Sequence, residues 1–233
     1  ALYDSTTLNF DIGLLQYSSS GQLLWQTSYD YSGGYDVPTS ISVDGNGDII
    51  CVAAKNTSGT FDYATLKYTS AGVFEWQTVY DYGGNDIPVA VSFDANNEII
   101  VTGASEDSTN EWDFYTTRYS TSGQFLDEFR YNNPGQGFDE PSGIARDNQG
   151  NFILTGRASS NGIDYHIKTI KLDPQLNLAW EQTYPTGIHS GASSLGLDSQ
   201  GNIYVAGYMA DTVGSNLLLM KYDPNGNFLW DHL

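Results

Sequence analysis

The chain has 233 residues, 39% hydrophobic and 16% charged, and its 9 basic and 28 acidic residues leave a formal net charge of −19. That length and apolar content suffice for one large all-β domain and exclude disorder of the whole chain. The acidity sets the protein against phosphate backbones and anionic membrane surfaces, so nucleic acid is excluded as a partner. No run nears the roughly 18 apolar residues of a membrane helix, and no membrane insertion is expected. The single cysteine, Cys51, lies in the apolar run Ile49-Ile50-Cys51-Val52, the setting of a buried thiol without a disulfide partner. The first residue is alanine and no signal-peptide pattern follows it, as expected of a processed chain or a fragment.

In chain order, the elements are short strands punctuated by turn formers, and they repeat. The motif aromatic–x–x–x–Gly–x–x–x–Trp occurs as Tyr17, Gly21, Trp25 and as Tyr68, Gly72, Trp76. It returns as Tyr119 and Gly123 with Asp127 in place of tryptophan, as Leu172 and Trp180, and as Tyr222, Gly226, Trp230. The first positions are separated by 51, 51, 53 and 50 residues. A second motif interleaves with it, an Asp turn followed by an apolar strand, starting at Asp44, Asp94, Asp147 and Asp198. Each period holds four strand signals of alternating or β-branched residues, and none shows helical spacing. Four strands in about fifty residues describe one blade of a β-propeller.

Side-chain size sets the phase. Inner strands crowd around a propeller axis, so the small-residue segments ending at Asp44, Asp94, Asp147 and Asp198 are assigned to strand a. The β-branched run is strand b, the Lys/Arg-Tyr segment strand c and the tryptophan segment strand d. The expected division is a partial blade of strands c and d at 1–36, then blades at 37–86, 87–139, 140–189 and 190–233. That amounts to about 4.5 repeats, without an a–b hairpin before Ala1, and these residues are not expected to close a ring unaided. A longer parent chain or a second chain would complete it.

The run Lys221-Tyr-Asp-Pro-Asn-Gly-Asn-Phe-Leu-Trp230, together with Asp198-Ser-Gln-Gly-Asn-Ile-Tyr-Val-Ala-Gly207, closely resembles the SBBP-type β-propeller repeat of secreted bacterial proteins. More distantly, the chain is similar to NHL repeats and to quinoprotein propellers with their Gly…Trp docking motif. It departs from the pattern at Asp127, where the tryptophan is lost, and at Asn97, where the turn glycine is lost. The resemblance implies a secreted or cell-surface propeller and carries no shared catalytic residues.

Several residue sets could act as sites. Asp44-Gly-Asn46-Gly-Asp48 alternates oxygen ligands like the first half of a calcium loop, but the closing glutamate is absent. The favoured reading is that the Asp accepts hydrogen bonds from its own turn, so no cofactor is expected and calcium is kept as the one alternative. The recurring tryptophans fit inter-blade packing better than a sugar platform. Three histidines are too few for a histidine metal cluster, and no nucleophile elbow or phosphate loop occurs.

The d–a and b–c loops share one face and combine aromatics with carboxylates, the composition of a ligand-facing surface. They contribute Tyr31, Tyr35, Asp36, Phe61, Asp62, Tyr82, Asp86, Trp112, Asp113, Phe138, Asp139 and His189. For Asp36, Asp86 and Asp139 the competing and preferred role is to cap the turn before each inner strand. These features point to a non-enzymatic, extracellular interaction or scaffold module, whose acidity suits a secreted, saline setting. Its partners would be other protein chains or further blades. The alternatives are a lectin-like module that stacks sugar on the loop aromatics and, behind it, a polysaccharide-active enzyme.

Overall fold

The computed structural model describes residues 2–4, 9–30, 34–56, 59–109, 111–134, 137–184, 189–210 and 214–233. Among them every regular element is a strand, and no helix is long and apolar enough to cross a membrane. The first strands are β1 (Leu2–Asp4), β2 (Asn9–Tyr17) and β3 (Leu23–Tyr29). The second group is β4 (Tyr35–Val43), β5 (Ile49–Asn56), β6 (Phe61–Tyr68) and β7 (Phe74–Tyr80). The third is β8 (Asp86–Phe93), β9 (Ile99–Glu106), β10 (Trp112–Tyr119) and β11 (Phe125–Tyr131). There follow β12 (Glu140–Arg146), β13 (Phe152–Ser159), β14 (Tyr165–Leu172) and β15 (Leu178–Thr183). The last are β16 (His189–Leu197), β17 (Ile203–Ala210), β18 (Ser215–Tyr222) and β19 (Phe228–His232). Each of the last four groups forms one antiparallel sheet in chain order, whereas β1–β2–β3 form a sheet of three. The chain is a β-propeller of four-stranded blades.

β1 is the one strand beyond those expected. It pairs Leu2 with Asp11 and Asp4 with Asn9, in the place that strand b takes in the other blades. It covers only one end of β2. Each first strand of a four-stranded sheet carries a register shift, at Pro38/Ser40, Pro88/Ala90, Pro141/Gly143 and Ala192/Ser194. Such bulges sharpen the local twist that turns a flat hairpin into a blade. The recurring glycine of strand b belongs to this bend: a Cβ on Gly103 would stand 2.1 Å from the Ile87 carbonyl oxygen.

The core consists of four apolar clusters, one between each pair of successive sheets. Ile50, Val52, Tyr63, Ile99, Val101 and Tyr115 make the one between the second and third sheets. Cys51 is buried, and burial pushes its thiol pKa up to about 11. No packing comparable to these four contacts joins the last sheet to the first among the described residues.

Candidate functional site

The a–b turns are closed by their own backbone. Asp44 Oδ1 accepts from the amides of Asn46 (2.8 Å) and Asp48 (3.0 Å), and Asp94, Asp147 and Asp198 repeat the pattern. A strand-c cation adds to each turn: Lys67 Nζ lies 2.9 Å from Asp48, and Lys171 Nζ 2.9 Å from Asp147. Gly47, Gly150 and Gly201 take positive φ at the fourth turn position, and Asn97 does so at 61°. Asparagine tolerates that region better than other residues with a side chain.

On the same face the tryptophans join neighbouring blades. A Cβ on Gly72 would meet the Trp25 ring at 2.7 Å, one on Gly123 the Trp76 ring at 2.7 Å, and one on Gly226 the Trp180 ring at 2.9 Å. The indole of Trp76 also donates from Nε1 to the Thr121 carbonyl at 3.1 Å. Each ring therefore lies flat on the c–d turn of the next blade, where only glycine leaves room. The blade that has lost its tryptophan carries exposed Asp127, and the next turn places Leu176 where glycine is otherwise found. Leu176 takes φ 59°, is buried, and joins the cluster of Tyr131, Phe152 and Leu172.

The opposite face holds the loop residues proposed from sequence. Tyr31 lies outside the described residues, as do residues 185–188 of the last d–a loop. Tyr35, Tyr82 and Phe138 are exposed, while Phe61, Trp112 and His189 are half-buried. Asp36, Asp62, Asp86, Asp113 and Asp139 are all buried. Asp86 Oδ2 accepts from the Tyr82 amide at 2.8 Å. Asp139 accepts from the amides of Asn133 (2.6 Å) and Ser159 (3.1 Å). The His189 ring lies 6.3 Å from that of Tyr165.

Two of the predicted residues meet a third that sequence reasoning had not singled out. Asp62 on β6, Asp86 at the start of β8 and exposed Asp81 in the loop between β7 and β8 bring carboxylate oxygens within 4.8 Å of one another. Asp62 Oδ2 faces Lys55 Nζ at 3.4 Å. Burial pushes the Asp86 carboxyl up to about 6 against hydrogen bonding from the Ser105 side chain and the Tyr82 amide, and the charges of Asp62 and Asp81 add smaller rises. Burial likewise raises Asp62, with the Asp81 charge adding to it and Lys55 opposing it.

One blade later the corresponding carboxylate is handled differently. Arg130 on β11 donates from Nη1 to Asp113 (2.7 Å) and from Nη2 to Ser105 Oγ (2.7 Å). Its guanidinium also lies 4.4 Å from the Tyr82 ring centre and 4.9 Å from that of Tyr115. Burial raises the Asp113 carboxyl, and Arg130 opposes the rise. A signal for Asp81 was present in the sequence, because Asp30 stands 51 residues before it. Nothing comparable marked Arg130.

No protein-family model matches the chain, and no curated protein matches its sequence. Among solved structures it is similar to a protein of unknown function from Dyadobacter fermentans DSM 18053, with 11% identity and a TM-score of 0.57. That match covers 88% of this chain and 64% of the other, so the chain spans less than two thirds of that protein. The likeness is one of fold. An ACO/RPE65 chimera aligns at TM-score 0.48 and 12% identity over 93% of this chain and 57% of its own. An α-L-arabinofuranosidase from Podospora anserina, solved with cellotriose, aligns at TM-score 0.39 and 12% identity over 83% and 65%.

Proposed function

We propose that this propeller is a non-enzymatic, extracellular interaction or scaffold module of the SBBP type, and that its end blades are its working surfaces. The observation that carries this reading is a contrast between equivalent positions. Leu15, Ile41 and Leu217 are 46%, 57% and 77% exposed, whereas Leu66, Val91 and Ile167, which occupy the same places in other blades, are 0%, 9% and 0% exposed. Between the first two sheets this leaves a cleft of about 200 Å³ lined by Leu14, Pro38, Ile41 and Cys51. Apolar faces of this kind favour burial against another blade, from a longer parent chain or from a second chain. A non-catalytic role is supported by the loop carboxylates Asp86 and Asp139, whose oxygens hold backbone amides. The secreted location rests on the acidity and on the repeat resemblance.

Light scattering across a concentration series tests the reading. We expect self-association that is weakened by Ile41→Glu or Leu217→Glu. A monomer near 25 kDa at every concentration, unchanged by both substitutions, would overturn it. A second reading, a lectin-like module, is favoured by the exposure of Tyr35, Tyr82 and Phe138 on one face. It predicts glycan-array binding that is lost on Tyr35→Ala or Trp112→Ala.

A further inference from the structure

We propose that Asp62, Asp81 and Asp86 hold one oxygen-seeking divalent cation of the calcium type, at the junction between the sheets β4–β7 and β8–β11. The donor set is oxygen only, with no histidine or cysteine among its members. Two ligand oxygens bound to one Ca²⁺ at about 2.4 Å stand no more than about 4.8 Å apart. The three carboxylates meet that limit, lying within 4.8 Å of one another.

The second observation is independent of this clustering. Asp86 is fully buried and Asp62 is 5% exposed, yet Oδ1 of each is buried without a hydrogen-bond partner. A buried carboxylate oxygen that accepts nothing is costly unless another group or an ion completes it. Asp62 and Asp86 each already use Oδ2, on Lys55 Nζ and on the Tyr82 amide respectively, so the bare oxygens are additional to that bonding. The Lys55 ammonium faces Asp62 at 3.4 Å, and the surplus of negative charge from three carboxylates in one corner suits a divalent ion. Exposed Asp81 gives the ion a way in from solvent.

The repeat supports the same assignment. One period earlier, Asp11, Asp30 and Asp36 occupy the equivalent three positions. One period later the set is Asp113, Asn132 and Asp139, and there the Arg130 guanidinium supplies the positive charge to Asp113. In the following blade Asp164, Pro185 and Ser190 stand at these places, and the set has lost two of its carboxylates.

Calcium chloride titrated by calorimetry into the chelator-treated protein tests the proposal. We expect saturable uptake with a dissociation constant of about 10⁻⁵–10⁻³ M. Asp81→Asn should remove one binding equivalent or weaken it at least about ten-fold, because one charged ligand is lost. Asp81 is exposed, so this variant keeps its fold, which far-ultraviolet circular dichroism verifies. Asp44→Asn, at the backbone-closed turn, should bind as the wild type does. Absence of saturable heat up to about 10 mM calcium, well beyond the weakest extracellular sites, would overturn the proposal. So would identical binding by the wild type and Asp81→Asn.

Discussion

The junction of sheet β4–β7 with β8–β11 and the junction of β8–β11 with β12–β15 are built from equivalent positions filled by different residues. At the first, the Trp76 ring lies on Gly123 at one face, and Asp62, Asp81 and Asp86 crowd together at the other. At the second, Leu176 is buried at the turn position that glycine holds in other blades and Asp127 stands where tryptophan does, while Arg130, which holds Asp113, reaches back to Tyr80 and Tyr82 of the first. The backbone repeat is preserved in both, because four strands, a bulge and the same turns recur. The difference shows that a blade interface asks only for filled volume and balanced charge, and that changes at one position are answered at another about fifty residues away.

The sharpest way to upset the charge balance between these sheets is Arg130→Met. It leaves the Asp113 carboxylate buried without its cation and should cost about 3–5 kcal/mol, read from urea denaturation at pH 7. The loss should shrink at acidic pH, where Asp113 is protonated. An equal loss at both values would remove the charge from the explanation.

Next comes Gly123→Ala. The new Cβ would overlap the Trp76 ring at a backbone φ of 80°, and the cost should be about 2–4 kcal/mol. Gly21→Ala is its control, since Gly21 has nearly the same φ and nothing within 4 Å of the added atom. It should lose only the conformational part, about 1–2 kcal/mol.

A smaller effect is expected where the tryptophan is missing. Leu176→Gly relieves an unfavourable φ but empties a buried site, for a net loss of about 1–3 kcal/mol. Combining it with Asp127→Trp rebuilds the Trp–Gly pair. The double variant should then be more stable than the two single losses add up to, by at least about 0.5 kcal/mol. Simple additivity would mean that the two positions do not share one space.

The mildest effect is a slope. Burial pushes the Asp139 carboxyl up to about 6, above its unfolded value of about 3.9. The folded state therefore binds more protons than the unfolded one in this window. The stability contributed by protonated Asp139 is fully present below about pH 4 and is lost as pH rises through about 6. Asp139→Asn should flatten that part of the stability curve, measured by denaturation at successive pH values.

Much of the architecture was legible in the residues themselves. The period of about fifty, the Asp turns and the glycine–tryptophan spacing depend on local backbone geometry and on alternation along a strand, both of which a sequence displays directly. The same legibility extended to the repeated Asp positions on the loop face, though not to their grouping.

What the tertiary structure alone decided is where blades touch. Asp62 and Asp86 are 24 residues apart on different sheets, and only the stacking of those sheets brings their oxygens together with Asp81. Leu176 answering Asp127, and Arg130 reaching Asp113 across the β10–β11 ladder, likewise depend on register and packing. The exposure of Leu15, Ile41 and Leu217 has the same origin. The sequence determined these positions as apolar, and whether a strand of a neighbouring sheet lies over them determined whether water reaches them.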